Sequence, residues 1–285
     1  MTETTHRSVV PTVERAQPPP LAPRPRRRRR LGPGPTSARA LVVGPLLLLV
    51  AWTLGSATGL IEPQTLSAPW TVVTTSGELV ADGRLQSNLL TSVQRAMIAL
   101  VLGVVVGVVL ALIAGLTRAG EAVIDGPVQI KRAVPTLALI PLAIIWFGIG
   151  EEMKIIVIAL SVLVPIYINT HAALRGVDAR YVELAESVRL SRAAFVRRVA
   201  LPGALPGFFV GLRLAVTVSW TALVVVEQVN ATSGIGYLMT QARTYGQTEI
   251  IVVGLVIYAV FGFVSDLAVR AIERRTLSWR RTLGS

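Results

Sequence analysis

The chain has 285 residues, 52% of them hydrophobic and only 15% charged, with a mean hydropathy of +0.62. A soluble domain carries about 25% charged residues, so an ordinary water-soluble globule is excluded. Cysteine is absent, which removes disulfides, thiolate metal sites and cysteine nucleophiles.

Residues 1–38 are rich in Pro and Arg, with Pro18-Pro19-Pro20 and the run Arg26 to Arg30. No periodic apolar face runs through them, so a disordered tail is expected. Residues 40–60 form an uncharged apolar block, matching the roughly 20 residues a bilayer-crossing helix needs. It is longer than the apolar core of a signal peptide, although Ser56-Ala57-Thr58-Gly59 would be a tolerable cleavage site. Residues 61–87 are polar and punctuated by Pro and Gly, a loop with room for one short helix. Further spans are expected at 96–116, at 134–146 after an amphipathic stretch over 123–130, at 155–168, at 208–226 and at 250–269. The chain thus divides into a tail (1–38), a first span with an external loop (39–93), a five-span core (94–272) and a second tail (273–285).

Lys and Arg orient these spans. The first tail, the 116–134 loop (Arg118, Lys131, Arg132), the long 168–208 loop and the C-terminal tail carry most of the basic residues. The alternate loops hold only Arg84, Lys154 and Arg243. Six spans with both termini in the cytoplasm satisfy the positive-inside bias at each loop. The net charge of +12 therefore reads as topology and contact with membrane lipid. A nucleic-acid partner would need one contiguous basic face, and none is expected.

Residues 177–203 are more than a connector. Residues 181–188 are good helix formers, with Val182, Ala185 and Val188 on neighbouring turns. Ser191 can cap a second short helix carrying Phe195 and Val199, which Pro202 would end. Two short helices at an angle suit docking to a cytoplasmic partner; an amphipathic helix on the membrane surface is the alternative.

On Glu183, Ala185, Phe195, Leu201 and Pro202 this loop resembles the EAA loop of ABC-importer permeases, with Tyr181 beside the motif. Leu184 replaces the first family alanine, and Arg189 stands where the family has a glycine at the bend. The resemblance extends over residues 94–279. Ala133-Val134-Pro135, Ile140-Pro141-Leu142 and Trp146-Phe147-Gly148 resemble the third-span signature of sulfonate, taurine and nitrate permeases. Pro165 to Thr170, and Glu227 followed by Ser233-Gly234-Ile235-Gly236-Tyr237, fit the same group, most of all its aliphatic sulfonate members.

The resemblance implies an all-α, type I importer permease of six transmembrane helices in the bacterial inner membrane. Its implied partners are a second copy of the chain, two cytoplasmic ATPase subunits on the coupling loop, and an external binding protein. Cargo would be a sulfonate-like small anion, with nitrate, taurine, bicarbonate or a vitamin precursor as alternatives. ATP and Mg would be used by the partner ATPase, because the chain has no Gly-x-x-x-x-Gly-Lys-Ser/Thr loop. A secondary transporter, which should show internal repeats and mid-membrane charges, and a non-transporting scaffold are the other readings.

Candidate pathway or gate residues are Pro135, Pro141, Trp146, Asn169, Trp220, Glu227, Ser233, Gly234 and Gly236. Glu227 is assigned a structural or gating role, since an anionic cargo would avoid a carboxylate. Arg95 and Arg213, near span ends, are expected to snorkel to the interface. No cationic cluster marks an anion pocket, and His6 and His171 are too few for a metal site.

Overall fold

The computed structural model describes residues 38–279. The tail calls on 1–37, including Arg26 to Arg30, and on 280–285 lie outside the described residues. Two units are distinguished, 1–43 and 44–285; the described part of the first is only the start of α1.

All described elements are helical: α1 (Ala38–Ala57), α2 (Pro69–Ala81), α3 (Arg84–Leu116), α4 (Arg118–Ala133), a 3-10 turn (Thr136–Leu139), α5 (Ile140–Phe147) and α6 (Glu151–Arg175). Then come α7 (Ala179–Ser187), α8 (Arg192–Phe195), a π turn (Val196–Ala200), α9 (Leu201–Asn230), α10 (Ile235–Thr244) and α11 (Thr248–Thr276). Four helices are long and apolar enough to cross a membrane: α3, α6, the continuous Arg192–Val229 and α11. A fifth span is available if α4 and the 136–147 segment, bent by 90° at Pro135, act together. In α1, Val43–Ala57 is apolar but short.

The core is built around α6. Met153, Val157, Ile158, Val162, Ile166 and Tyr167 on it are fully buried. Both neighbours approach closely because they present small residues. On α3, a Cβ at Gly103 would lie 2.6 Å from Val162 Cβ, and one at Gly107 would lie 2.9 Å from Ile166 Cβ. On α9, Gly207 and Gly211 would each place a Cβ 2.8 Å from an α6 carbonyl. Small residues at such seams replace hydrophobic drive, which lipid does not supply, with close packing.

Several expectations are corrected. The apolar blocks understate helix length, since 155–168 is the middle of Glu151–Arg175 and 250–269 the middle of Thr248–Thr276. The divisions at 93/94 and 272/273 accordingly fall inside α3 and α11. Residues 61–87 hold the expected short helix, α2, and also the first turn of α3, which was not expected there. The 134–146 segment is a 3-10 turn and the short α5, not one straight span; the bend falls at Pro135, and Pro141 sits in the first turn of α5, where its missing N–H is tolerated.

Candidate functional site

The predicted residues fall at three levels along the bundle. At one end Glu227, on the last turn of α9, is 1% exposed. Its carboxylate accepts from Ser92 Oγ at 2.8 Å, Arg95 Nη1 at 2.7 Å, the Gly236 amide at 2.9 Å and Tyr258 Oη at 3.1 Å. Arg95, 3% exposed, also holds both oxygens of Glu151 through Nε and Nη2, the Ser233 carbonyl at 2.6 Å and Ser233 Oγ at 3.1 Å. Its five N–H donors therefore meet five acceptors. Lys154 Nζ donates to Glu151 at 2.8 Å, so two cations face two carboxylates. Helices α3, α6, α9, α10 and α11 all contribute.

This cluster clamps the 231–234 loop. Asn88 Oδ1 accepts from the Gly234 amide at 2.8 Å, and Ser92 Oγ accepts from the Ile235 amide at 2.9 Å. Gly234 has φ +112, and a Cβ there would sit 2.4 Å from Glu227 Oε1. Only glycine meets both the backbone and the space. Glu227, Ser233, Gly234 and Gly236 thus converge. Arg95 joins them instead of snorkelling, because two carboxylates on facing helices solvate it inside the bundle. Ser92, Asn88, Glu151, Lys154 and Tyr258 carried no motif signal. The legible hint was an Arg and a Glu set in apolar runs, each needing a partner. Arg213 is likewise paired, with Asp266 at 3.1 Å, and Asp266 also takes Arg270 at 2.7 Å.

At the opposite end, α7 is capped by Asp178 Oδ1, which accepts from the Arg180 amide at 2.9 Å. It closes in a Schellman motif: the Leu190 amide donates to Ala185 O at 2.8 Å and the Arg189 amide to Glu186 O at 3.0 Å. Arg189 occupies the left-handed position with φ +51, alone among the described non-glycine residues. The bend that a glycine would serve is therefore retained, with an arginine strained into it. Ser191 Oγ then accepts from the Ala194 amide at 3.3 Å and caps α8. Arg192 Nη2 donates to Leu116 O at 2.7 Å, satisfying an end carbonyl of α3.

Pro202 does not end the second helix. The chain passes from α8 through the π turn into α9 as one helix. An α-helix would press the proline ring against the carbonyl of Arg198. The π turn, in which the Leu201 amide bonds to Val196 O, moves that carbonyl aside. Of the loop residues, Ala185 is buried, whereas Tyr181, Glu183, Leu184 and Val188 are exposed, Leu184 at 59% and Val188 at 62%. Tyr181, Leu184 and Val188 therefore present exposed apolar surface on one side of α7.

Of the remaining residues, Pro135 and Asn169 line one groove beside the bend after α4, and the others lie apart. Pro135 makes the bend after α4, and Pro141 opens α5. Trp146 is exposed, edge-on to Phe147. Trp220 Nε1 donates to Ser265 Oγ at 3.2 Å. Asn169 Nδ2 donates to Pro165 O at 2.8 Å. Among the described residues no group of three or more His, Asp or Glu is placed to hold a metal ion.

Four long apolar helices, with a fifth span available in the bent pair, make this a multi-pass membrane protein. Residues 103–278 match the family model described as "Binding-protein-dependent transport system inner membrane component", and the chain belongs to that family. It is 43% identical over 235 residues to a protein of Escherichia coli (strain K12) named as an aliphatic sulfonates transport permease, SsuC, covering 82% of this chain and 89% of that one. The Bacillus subtilis (strain 168) protein of the same name is 37% identical over 238 residues, covering 84% and 86%. A taurine transport system permease protein, TauC, of E. coli K12 is 34% identical over 239 residues, covering 82% and 86%. In fold, the chain is similar to a crystal structure of an amino acid ABC transporter with histidines, at 19% identity and TM-score 0.59, covering 70% of this chain and 97% of that one.

Proposed function

We propose that the chain is the membrane permease subunit of an ATP-driven importer for aliphatic sulfonates, with the α7–α8 knob as its ATPase-coupling element. The observation that carries this is the knob's exposed apolar face, set by a Schellman bend at the end of the bundle, in a family of binding-protein-dependent permeases. Glu183, exposed on the flank of α7, would supply charge to the contact, while Ala185 is the one buried residue of the helix. The knob end faces the cytoplasm, in agreement with the basic residues around it, Arg180, Arg189, Arg192, Arg197 and Arg198. With α1 and the bent α4–α5 pair counted, the chain crosses six times with both termini inside.

The assembly is two copies of this permease, two copies of an ATPase that binds ATP and Mg, and one external binding protein. Closure of the ATPase pair would draw the two knobs together. The sulfonate names of the two SsuC relatives support the cargo class; the TauC similarity makes taurine the second candidate. Family membership favours this reading over a secondary transporter or a scaffold.

The test is ATPase activity of the chain reconstituted with its candidate ATPase and binding protein, with alkanesulfonates, taurine and nitrate in turn. Stimulation by alkanesulfonates, lost with Leu184→Asp in the knob, is expected. Failure of the folded chain to assemble with any ATPase would overturn the reading; stimulation by taurine or nitrate alone would move the cargo.

A further inference from the structure

Midway along the bundle lies a cavity of about 410 Å³ at the bend after α4. Lys131, Arg132, Thr136 and Asn169 give it a polar side, and Val134, Ile168, Leu214 and Val218 an apolar one. By its charge pattern Lys131 belongs to a loop. It is instead drawn into the bundle, because α4 runs antiparallel along α6 through three successive contacts. Glu121 meets Arg175 at 3.2 Å, Asp125 meets Tyr167 Oη at 3.2 Å, and Lys131 Nζ meets Leu160 O at 2.6 Å. At 1.5 Å per residue, Leu160 is about 14 Å along α6 from Glu151 and about 22 Å from Arg175. The ammonium therefore sits well inside the span.

Its partners are neutral. Lys131 Nζ donates to Leu160 O and to Thr136 Oγ1, both at 2.6 Å, and a third N–H is left over. Arg95, Lys154, Arg175 and Arg213 each have a carboxylate. Among the described residues, no carboxylate lies within ion-pair distance of Lys131, and none lines the cavity. The Thr136 hydroxyl, which accepts from Lys131, keeps its own proton to donate, and Asn169 keeps its second amide N–H. A half-buried cation with neutral partners and spare donors, and with a second cation, Arg132, on the same wall, is complementary to an anion.

We propose that Lys131 anchors an intramembrane transit site for the oxyanion headgroup of the cargo, an alkanesulfonate, whose alkyl part lies on the apolar wall of the same cavity. This rests on the importer reading above. The simpler alternative is that Lys131 only staples the bend by bonding Thr136 and Leu160. Lys131→Gln separates the two, because glutamine keeps two N–H donors for those acceptors and loses the charge.

The chain holds two lysines, Lys131 and Lys154, and Lys154 is tied to Glu151. Reductive methylation of the full complex in nanodiscs, followed by mass spectrometry, therefore reports on Lys131 with an internal reference. Butanesulfonate should slow modification of Lys131 at least threefold and leave Lys154 unchanged, whereas uncharged butyramide should do neither. In proteoliposomes, Lys131→Gln should lower alkanesulfonate uptake at least tenfold with the ATPase still co-purifying in full ratio, and Lys131→Arg should restore part of it. Uptake by Lys131→Gln equal to the wild type, or no protection by butanesulfonate, would overturn the site. Protection that follows phosphatidylglycerol content instead of sulfonate would assign the cavity to a lipid phosphate and also overturn it. If the wild-type complex neither assembles nor takes up any sulfonate, it is the importer reading that fails.

Discussion

Arg95→Met tests whether the ionic clamp is a stability element. The substitution keeps an unbranched apolar stem and removes the guanidinium. Glu227 is then left as a buried anion with three neutral donors, Ser92, the Gly236 amide and Tyr258. Breaking a buried pair from one side costs about 3–5 kcal/mol, and the surviving donors place this case near the lower end, about 3 kcal/mol. Glu151 adds little, because it is half-exposed and keeps Lys154. On the scale of soluble domains of this size, about 2–4 °C per kcal/mol, the midpoint should fall by about 6–12 °C. Glu227→Gln in the same background should recover part of the loss, since the stranded charge is gone. Thermal unfolding of the four proteins of this cycle in one nanodisc lipid measures the coupling. A fall under about 2 °C, or strict additivity of the two changes, would refute the view of Arg95 and Glu227 as one buried unit.

Gly103→Leu should lower stability by about 1–3 kcal/mol through overpacking, since even a Cβ meets Ala159 O and Val162 Cβ at 2.6 Å; yield and melting temperature in detergent report it. Gly234→Ala should destabilise by about 1–3 kcal/mol from backbone strain alone and further by collision with Glu227, and the loss should shrink in a Glu227→Ala background. At Arg189, replacement by Gly relieves left-handed strain but loosens the unfolded chain, two effects of about 1 kcal/mol each, so a near-neutral melting shift is expected. Arg189→Val, β-branched at φ +51, should be clearly destabilised in the same melt.

What was legible in the sequence was what is local. The apolar blocks mark the spans because a bilayer-crossing helix must be apolar over its middle. Their ends were missed because helices such as α6 run on into polar turns at Glu151 and Arg175, where hydropathy falls but the backbone ladder does not. The first short helix of the knob and the cap at Ser191 were readable from residue type, whereas the bend at Arg189 was legible only through the resemblance, since arginine itself argues against φ +51. The π turn before Pro202 was not, since it answers a backbone clash and has no composition of its own. Arg95 and Lys131 were misplaced for one shared reason. A single sequence shows that a charge lies near an apolar run, but its solvation is decided by whichever helix packs opposite. For Arg95 that helix brings Glu151, and for Lys131 it brings only a carbonyl.

The π turn also bears on how the two ends of the chain communicate. Because Arg192–Val229 is one helix, the element that follows the knob is the element that ends in Glu227. Arg192 fastens its start to Leu116 at the end of α3, and Glu227 fastens its far end to Ser92 and Arg95 near the beginning of α3. Helices α3 and α9 are thus tied at both extremities, with α6 packed between them through glycine seams that leave little room for sliding. A displacement of the knob must then bend the helix where its hydrogen bonding is already altered, at Val196–Ala200, or be carried through α9 to the clamp on the 231–234 loop. Under the proposed function, this geometry puts the hinge beside the coupling element and the gate at the other end of the same helix.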